Sequence, residues 1–330
     1  MTNFPATRGE GGKRMNTAAG EVGGRQAPGE WSAAESVVIN RAVQNAPSVH
    51  NSRPWSLALR GRSAELRERP TLLVQHDPEG RDRRISCGAA LANLVLAIRS
   101  LRWTAEVEFG SSSGLVTATV TATGRADPSE AERRRGAAVL DRWSCRRPFD
   151  GPGLPASTLD VLLEAIAAPG VTGRWVSGAD EALGVARLLT YAGRVFRGNA
   201  DYQRELSSWT TVTGDGLRRE GLGERGLAAV GLTTGRTRLP DEHVLSARIQ
   251  REAVLLVGSG ADGPAEQIRV GSAVEQTWLE ATARGLVVSV MTQPLHLAEV
   301  RSGLAAGLGF PGMPQVMMRF GRLAESVDER

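Results

Sequence analysis

From residue 30 onward the chain alternates between runs with helical apolar spacing and shorter runs with strand alternation. Val38, Ile39, Ala42 and Val43 fall on one helical face. Ser32 and Glu35 mark the start of that helix, because the hydroxyl and the carboxylate can each satisfy an orphan backbone amide. The helix must stop before Pro47, since the residue preceding a proline is pushed out of the helical region. Residues 56–59 and 72–75 read as short strands, and Asp77-Pro78-Glu79-Gly80 as a turn. From Ile85 the spacing of Leu91, Leu94, Val95, Ile98 and Leu101 predicts a long, strongly apolar and central helix. Residues 106–109 and 115–123 then form a hairpin around 110–114, with Val116, Ala118 and Val120 alternating inward.

A second Ser/Glu capping pair, Ser129 with Glu132, opens a helix that delivers Arg142 to its C-terminal end. Residues 158–166 form another short helix before Pro169. Helices over 183–196 and 242–251 flank a glycine-studded stretch, 214–235. The order that follows is strand 253–257, helix 266–284, strand 286–290, helix 295–304 and strand 315–320. Residues 1–29 lack apolar periodicity and are expected to be a disordered tail, having nothing to bury against the entropy of ordering them.

Two anchors recur in the same order. Ala46-Pro47-Ser48-Val49 with Trp55 is echoed by Ala168-Pro169-Gly170-Val171 with Trp175, each after a short helix. Gly88-Ala89-Ala90-Leu91 is echoed by Gly271-Ser272-Ala273-Val274, each on a long helix. The anchors are 88 − 46 = 42 residues apart in the first copy and 271 − 168 = 103 in the second, an excess of 61. The pattern predicts an α+β chain of two fused halves, 30–128 and 129–330, the second carrying an insertion at about 190–245.

Composition narrows the function classes. The chain has 330 residues, 41% hydrophobic, which suits a globular protein. Its net charge is only +4 and, apart from Lys13, every basic side chain that makes up the count is arginine. No basic stripe interleaved with aromatics accompanies the charge, so no nucleic-acid partner is expected. Cys87 and Cys145 are too few for a disulfide framework or a cysteine zinc site and are expected to be reduced. His50, His76, His243 and His296 are scattered without metal-ligand spacing, so no metal is expected. No apolar run approaches the ~20 residues of a membrane helix, and there is no secretory-signal core, so the expected setting is cytoplasmic with no membrane partner.

Two segments concentrate the candidate chemistry. Asn45-Ala46-Pro47-Ser48-Val49-His50-Asn51-Ser52-Arg53-Pro54-Trp55 crowds a hydroxyl, an imidazole and an amide into one loop. Arg142-Trp143-Ser144-Cys145-Arg146-Arg147-Pro148-Phe149 concentrates cations and a hydroxyl. Guanidinium forks and hydroxyls suit a phosphate, so Arg142 and Ser144 are candidate phosphate ligands, although the same residues could form a solvated helix end. Ser48 and Asn51 could equally bind a ligand or cap their own backbone.

Together the two segments resemble the nitroreductase family in its Acg-type branch, with Ala-Pro-Ser-x-His-Asn-x-x-Pro-Trp near the start and Arg-x-Ser-x-Arg-Arg-Pro-Phe near the middle. The resemblance implies a nitroreductase-like FMN-binding fold and a flavin between two halves. Members usually dimerise, so a chain holding both halves would be an internal pseudo-dimer, either monomeric or a weak homodimer, with one surviving composite site. It further implies that Arg142 and Ser144 hold the FMN phosphate and that Arg146 reaches the ribityl chain and the N1/O2 ring edge. Pro47, Ser48, Val49 and Asn51 would approach from the opposite half. The segment Met291, Thr292 and Gln293 would offer backbone amides to flavin N5 and O4. Arg319, with Gly321, resembles the closing Arg-x-Gly strand, but the basic pair that commonly follows is absent. No Gly-x-Gly-x-x-Gly fingerprint follows a strand, so NAD(P)H would dock transiently rather than in a Rossmann site. No residue is assigned as catalytic, and His50 is given no acid or base role.

The implied function is an FMN-dependent oxidoreductase in which NAD(P)H reduces the flavin and the flavin reduces a nitroaromatic, quinone or similar small conjugated acceptor. The alternatives are a flavin-sequestering protein whose glycine-rich insertion closes as a lid, a flavin-dependent dehydrogenase of a biosynthetic substrate, or a degenerate member without cofactor.

Overall fold

The computed structural model describes residues 29–69, 73–110, 116–149, 153–166, 168–211, 217–218 and 226–323. The expected tail, most of the 110–114 turn and much of the 214–235 stretch lie outside the described residues.

Helix α1 (Ala33–Gln44) opens with the reciprocal Ser32–Glu35 cap and is followed by β1 (Trp55–Arg60) and β2 (Ser63–Glu68), joined at Gly61. The long helix α2 (Arg81–Ser100) comes next, then β3 (Glu106–Phe109) and β4 (Val116–Thr121). These strands form one antiparallel sheet in the order β1-β2-β4-β3. Helix α3 (Glu130–Ala138), with its own Ser129–Glu132 cap, crosses to the second half.

The second half runs α4 (Ala156–Ala165), β5 (Val171–Trp175), α5 (Gly178–Gly198), α6 (Ala200–Ser208), the two-residue strands β6 (Thr210–Thr211) and β7 (Leu217–Arg218), α7 (Gly226–Gly231) and α8 (Glu242–Arg251). Then come β8 (Ala253–Ser259), α9 (Pro264–Ala283), β9 (Val287–Met291), α10 (Ala298–Leu308) and β10 (Met313–Gly321). Its main sheet is antiparallel in the order β5-β8-β10-β9. The two sheets share one strand order, and with α3, α10 and the α5–α8 region with β6 and β7 set aside, the elements around each read helix, strand, strand, helix, strand, strand.

Alternation along β8 explains the layering. Leu255 and Val257 face α9, whereas Val254 and Leu256 face the cluster built by α5, α8 and α10. The second sheet is thus covered on both faces. Across the middle, α2 and α9 lie against each other closely enough for backbones to touch. A Cβ on Gly88 would sit 2.0 Å from the carbonyl oxygen of Ile268, and one on Gly271 would sit 1.9 Å from that of Ile85. Each glycine meets the residue three positions before the other, so the contact is reciprocal.

The structure departs from the sequence reading in three places. Residues 74–76 form a turn, and residue 72 lies outside the described residues, so no strand spans 72–75. The partner of β1 is instead β2, whose short alternation of buried Ala64 and Leu66 is masked by Glu65, Arg67 and Glu68. The tryptophans of the repeat are not equivalent either, since Trp55 opens β1 while Trp175 closes β5.

Because the α2–α9 contact has no room for a side chain, Gly271→Val is expected to cost at least about 1–3 kcal/mol of stability through overpacking. Gly184→Ala, inside α5 with nothing within 4 Å of its added carbon, is expected to be neutral or stabilising by up to ~1 kcal/mol. Urea unfolding of both variants checks this; equal midpoints would show that the helices can separate at no cost.

Candidate functional site

The end of α1 turns sharply at Pro47 into a loop with unusual backbone. His50, Asn51 and Arg53 have φ of 48°, 55° and 44°, left-handed values that cost a non-glycine residue on the order of 1 kcal/mol or more each. The loop is clasped from within and from below. Ser48 Oγ accepts from the Arg53 amide at 2.9 Å, and the Val49 amide donates to Ser86 Oγ at 3.0 Å, which itself donates to the Asp82 carbonyl. Ser48 Oγ thus takes up the backbone role as an acceptor.

The arginine segment is fixed from the other half. The Cys145 amide donates to the Val288 carbonyl at 2.8 Å, laying the segment beside β9. Arg319, fully buried in β10, pairs with Glu252 at 2.6 Å and donates to the carbonyls of Cys145 and Arg147 at 3.0 and 2.6 Å. Those carbonyls flank Arg146, so Arg319 sets the direction in which Arg146 points. Arg146 itself has no side-chain partner among the described residues, and burial, then the charge of Arg319, pushes its pKa down.

Arg142 ties the two segments together. It donates to the Asn45 carbonyl at 2.7 Å and lies 4.6 Å from the Trp278 ring centre. Its Nε is 3.3 Å from Glu275 Oε1, an ion-pair distance without hydrogen-bond alignment. Burial of Glu275 in α9 pushes its pKa up to about 8, with the Arg142 charge opposing the shift.

Beneath the loop lies a buried polar cluster centred on Asp82. His76 Nε2 and His296 Nε2 approach Asp82 Oδ2 at 3.2 and 3.1 Å, and Thr292 Oγ1 donates to the same oxygen. Arg81 donates to Asp82 Oδ1 at 3.1 Å. Burial opposes ionisation of Asp82, but the imidazoles and Arg81 outweigh it and hold the carboxyl well below its ordinary range. His50 stacks edge-on against His76 at 4.2 Å, and burial, then His76, keeps it neutral. His76, Asp82 and His296 also have ligand atoms within 4.8 Å of one another, so folding gathers histidines that look scattered in the sequence into a group able to hold a metal.

These elements enclose a cavity of about 1120 Å³ between the two halves. Pro47, Ser48, Val49 and Asn51 line it from the first half; Arg142, Ser144, Arg146 and Thr292 line it from the second. Met291, Gln293 and Arg319 do not. Met291 is core, packed on Gly231; Gln293 is buried, donating to the Tyr202 hydroxyl and accepting from the Thr233 amide at 2.6 Å; Arg319 is the strut described above. Met291 and Gln293 are read from the sequence for their backbone amides, a role that these side-chain positions leave as it stands. The three side chains act by fixing the strand and the insertion around the site.

The sequence reading missed Asp82, Ser86, Gly271, Val274, Trp278 and Leu217, all of which line the cavity. Asp82 sits in the charged run Arg81-Asp82-Arg83-Arg84, which reads as a solvated helix start. Only the tertiary fold shows that Arg81 and Asp82 are buried.

A Mycobacterium tuberculosis protein provisionally named NAD(P)H nitroreductase is 30% identical over 292 residues, which cover 86% of this chain and 83% of the relative. The Acg protein of the same organism, provisionally given the same activity, is 29% identical over 310 residues, 88% of this chain and 91% of Acg. An FMN-bound nitroreductase from Bacteroides fragilis aligns at 16% identity over 60% of this chain and 90% of its own, with a TM-score of 0.39. No protein-family model matches the chain.

The Glu275 site generates a stability test. A carboxyl whose folded pKa is raised favours the folded state at low pH, and that contribution is lost as pH rises from its ordinary value of 4.5 through about 8. Glu275→Gln is expected to flatten this decline and to be at least as stable as the parent at pH 8.5. Unfolding midpoints across pH 4 to 9 measure it; parallel curves for the two proteins would rule it out.

Proposed function

Since the chain belongs to the NAD(P)H nitroreductase family, we propose that it is an FMN-dependent oxidoreductase, in which NAD(P)H reduces a flavin held in the cavity and the flavin reduces a nitroaromatic, quinone or similar small conjugated acceptor. The observation that carries this reading is Arg146: a part-buried guanidinium without a protein partner among the described residues, lining a large cavity beside Arg142 and Ser144. An unpaired cation in such a place is costly unless an anionic ligand completes it.

The residues present fit FMN. Arg142 and Ser144 would hold its phosphate, and Arg146 would supply positive charge to the ring or the ribityl chain. Val49, Val274 and Trp278 give apolar walls suited to a flat ring system. When bound, the flavin supplies a two-electron hydride relay, and a nearby cation favours its reduced, anionic form. The protein contributes orientation: the clasped loop on one side, the Arg319-braced segment on the other.

In this reading residues 30–128 and 129–330 are two fused halves forming one composite site, with the insertion at about 190–245 in the second. The shared strand order and the reciprocal Gly88–Gly271 contact support it. A fused pair needs no second copy to complete the cavity, so the working form is a monomer or a weak homodimer.

A second reading, a flavin-holding protein with little turnover, is favoured by Leu217, which reaches the cavity wall from the insertion. If that wall blocks access, Leu217→Ala should accelerate bleaching by NAD(P)H; an unchanged rate counts against a closed site.

Two outcomes test the main reading. Protein supplemented with FMN and desalted should stay yellow and bleach anaerobically with NADH or NADPH. Arg146→Met should weaken FMN binding roughly 10- to 150-fold, the loss of one charged hydrogen bond of about 1.5–3 kcal/mol. The same variant should raise the melting temperature of the cofactor-free protein, because it removes a cation held against solvent. Unchanged FMN affinity would remove Arg146 from the site.

A further inference from the structure

The Asp82 cluster sits between the cavity and the protein surface. Asp82 and Thr292 both line the cavity. His296 does not, yet 14% of its side-chain surface is accessible, so it opens elsewhere. The hydrogen-bond donors and acceptors can be assigned without conflict. Gln293 Nε2 donates to the Tyr202 hydroxyl, which donates to His76 Nδ1 at 2.9 Å, leaving His76 Nε2–H to donate to Asp82 Oδ2. His296 Nε2–H and Thr292 Oγ1–H donate to the same oxygen, while Arg81 occupies Oδ1. Every contact of the carboxylate is then a donor, which a metal bridging the two Nε2 atoms would abolish. A cation would also face the Arg81 guanidinium on the same carboxylate.

We infer that His296, Asp82 and Thr292 form a proton relay from the surface to the cavity, supplying the one proton that acceptor reduction consumes, with His76 and Tyr202 as positioning residues for Asp82. This rests on the oxidoreductase reading above. For a quinone the balance is NAD(P)H + quinone + H⁺ giving NAD(P)⁺ + hydroquinone. The hydride reaches the acceptor from the reduced cofactor, and the oxyanion left on the acceptor needs a proton. Asp82 rests as the unprotonated acceptor, so the transfer begins at His296: its Nε2–H passes to Asp82 Oδ2 while a proton from solvent enters at His296 Nδ1. The Thr292 hydroxyl turns from Asp82 and gives its proton to the acceptor oxygen, Thr292 Oγ1 takes the new proton from Asp82 Oδ2, and tautomer exchange resets the ring. The groups facing Asp82 from the surrounding elements are Asp77, Arg81, His50, His76 and His296.

Two measurements decide it. In the cofactor-free protein, histidine ¹⁵N spectra should show His76 and His296 protonated on Nε2 and unchanged on adding zinc. Bare Nε2 atoms, or stoichiometric zinc binding abolished by Asp82→Asn, would overturn the relay in favour of a metal site. In the FMN-loaded protein, dithionite reduction bypasses NAD(P)H, and reoxidation by benzoquinone is then followed in H₂O and D₂O. Thr292→Val should reoxidise about 100-fold more slowly, the scale of one proton-transfer group, and lose the solvent isotope effect. Thr292→Ser should restore both, and His296→Phe should be slowed and rescued by added imidazole. Reoxidation of Thr292→Val at the parent rate with the parent isotope effect would sink the relay. Parent protein that reoxidises with quinone but never bleaches with NAD(P)H would instead sink the nicotinamide half of the functional reading and leave the relay standing.

Discussion

The backbone contact between α2 and α9 is the constraint on which the rest depends. Two long helices meet where Gly88 and Gly271 remove the side chains that would otherwise hold them apart. That approach brings Ile85, Ser86 and Ala89 of one helix and Gly271, Val274 and Trp278 of the other to a common cavity. It also presses each sheet onto its own helix, so one wall of the cavity belongs to two long buried helices, and the Pro47–Arg53 loop and the arginine segment complete it. Part of the ligand geometry is thereby set by the packed frame of the protein.

On that frame the flexible parts are restrained by polar anchors. A loop with three left-handed non-glycine residues would relax if left alone; Ser48, Ser86 and the Asp82 cluster below it hold the strained form. On the facing side, Arg319 grips carbonyls on both sides of Arg146. The loop backbone is strained, the Arg146 side chain has no side-chain partner among the described residues, and in both cases the surrounding hydrogen bonds keep a high-energy arrangement in place for a ligand to exploit.

Much of this was legible in the sequence because it follows from local rules. Both Ser/Glu caps, the proline stop at Pro47 and the apolar spacing of α2 and α9 are short-range signals, and they located most of the elements. The motif residues Ser48, Asn51, Arg142, Ser144 and Arg146 reached the cavity together. What failed was non-local. Strand β2 hid its two buried positions among charges, and the 72–75 run carries apolar residues but turns at 74–76. The histidines are more than 200 residues apart at their extremes, 296 − 50 = 246, so no spacing rule could gather them. Arg319 matched a motif but serves as a brace, because pattern identifies residue type and not the direction in which a buried guanidinium points.

The buried and part-buried cations around the cavity, Arg81, Arg142, Arg146 and Arg319, are all guanidinium groups, in a chain whose lone lysine is Lys13. Guanidinium keeps its proton under conditions where a buried ammonium would release it. It also offers no primary amine to acetyl donors or other acylating metabolites. The guanidinium charge around the cavity is therefore constant through shifts of pH and beyond the reach of lysine-directed modification. Any physiological control of ligand retention has to act through the carboxylates and imidazoles beside these arginines, or through how much of the protein is made.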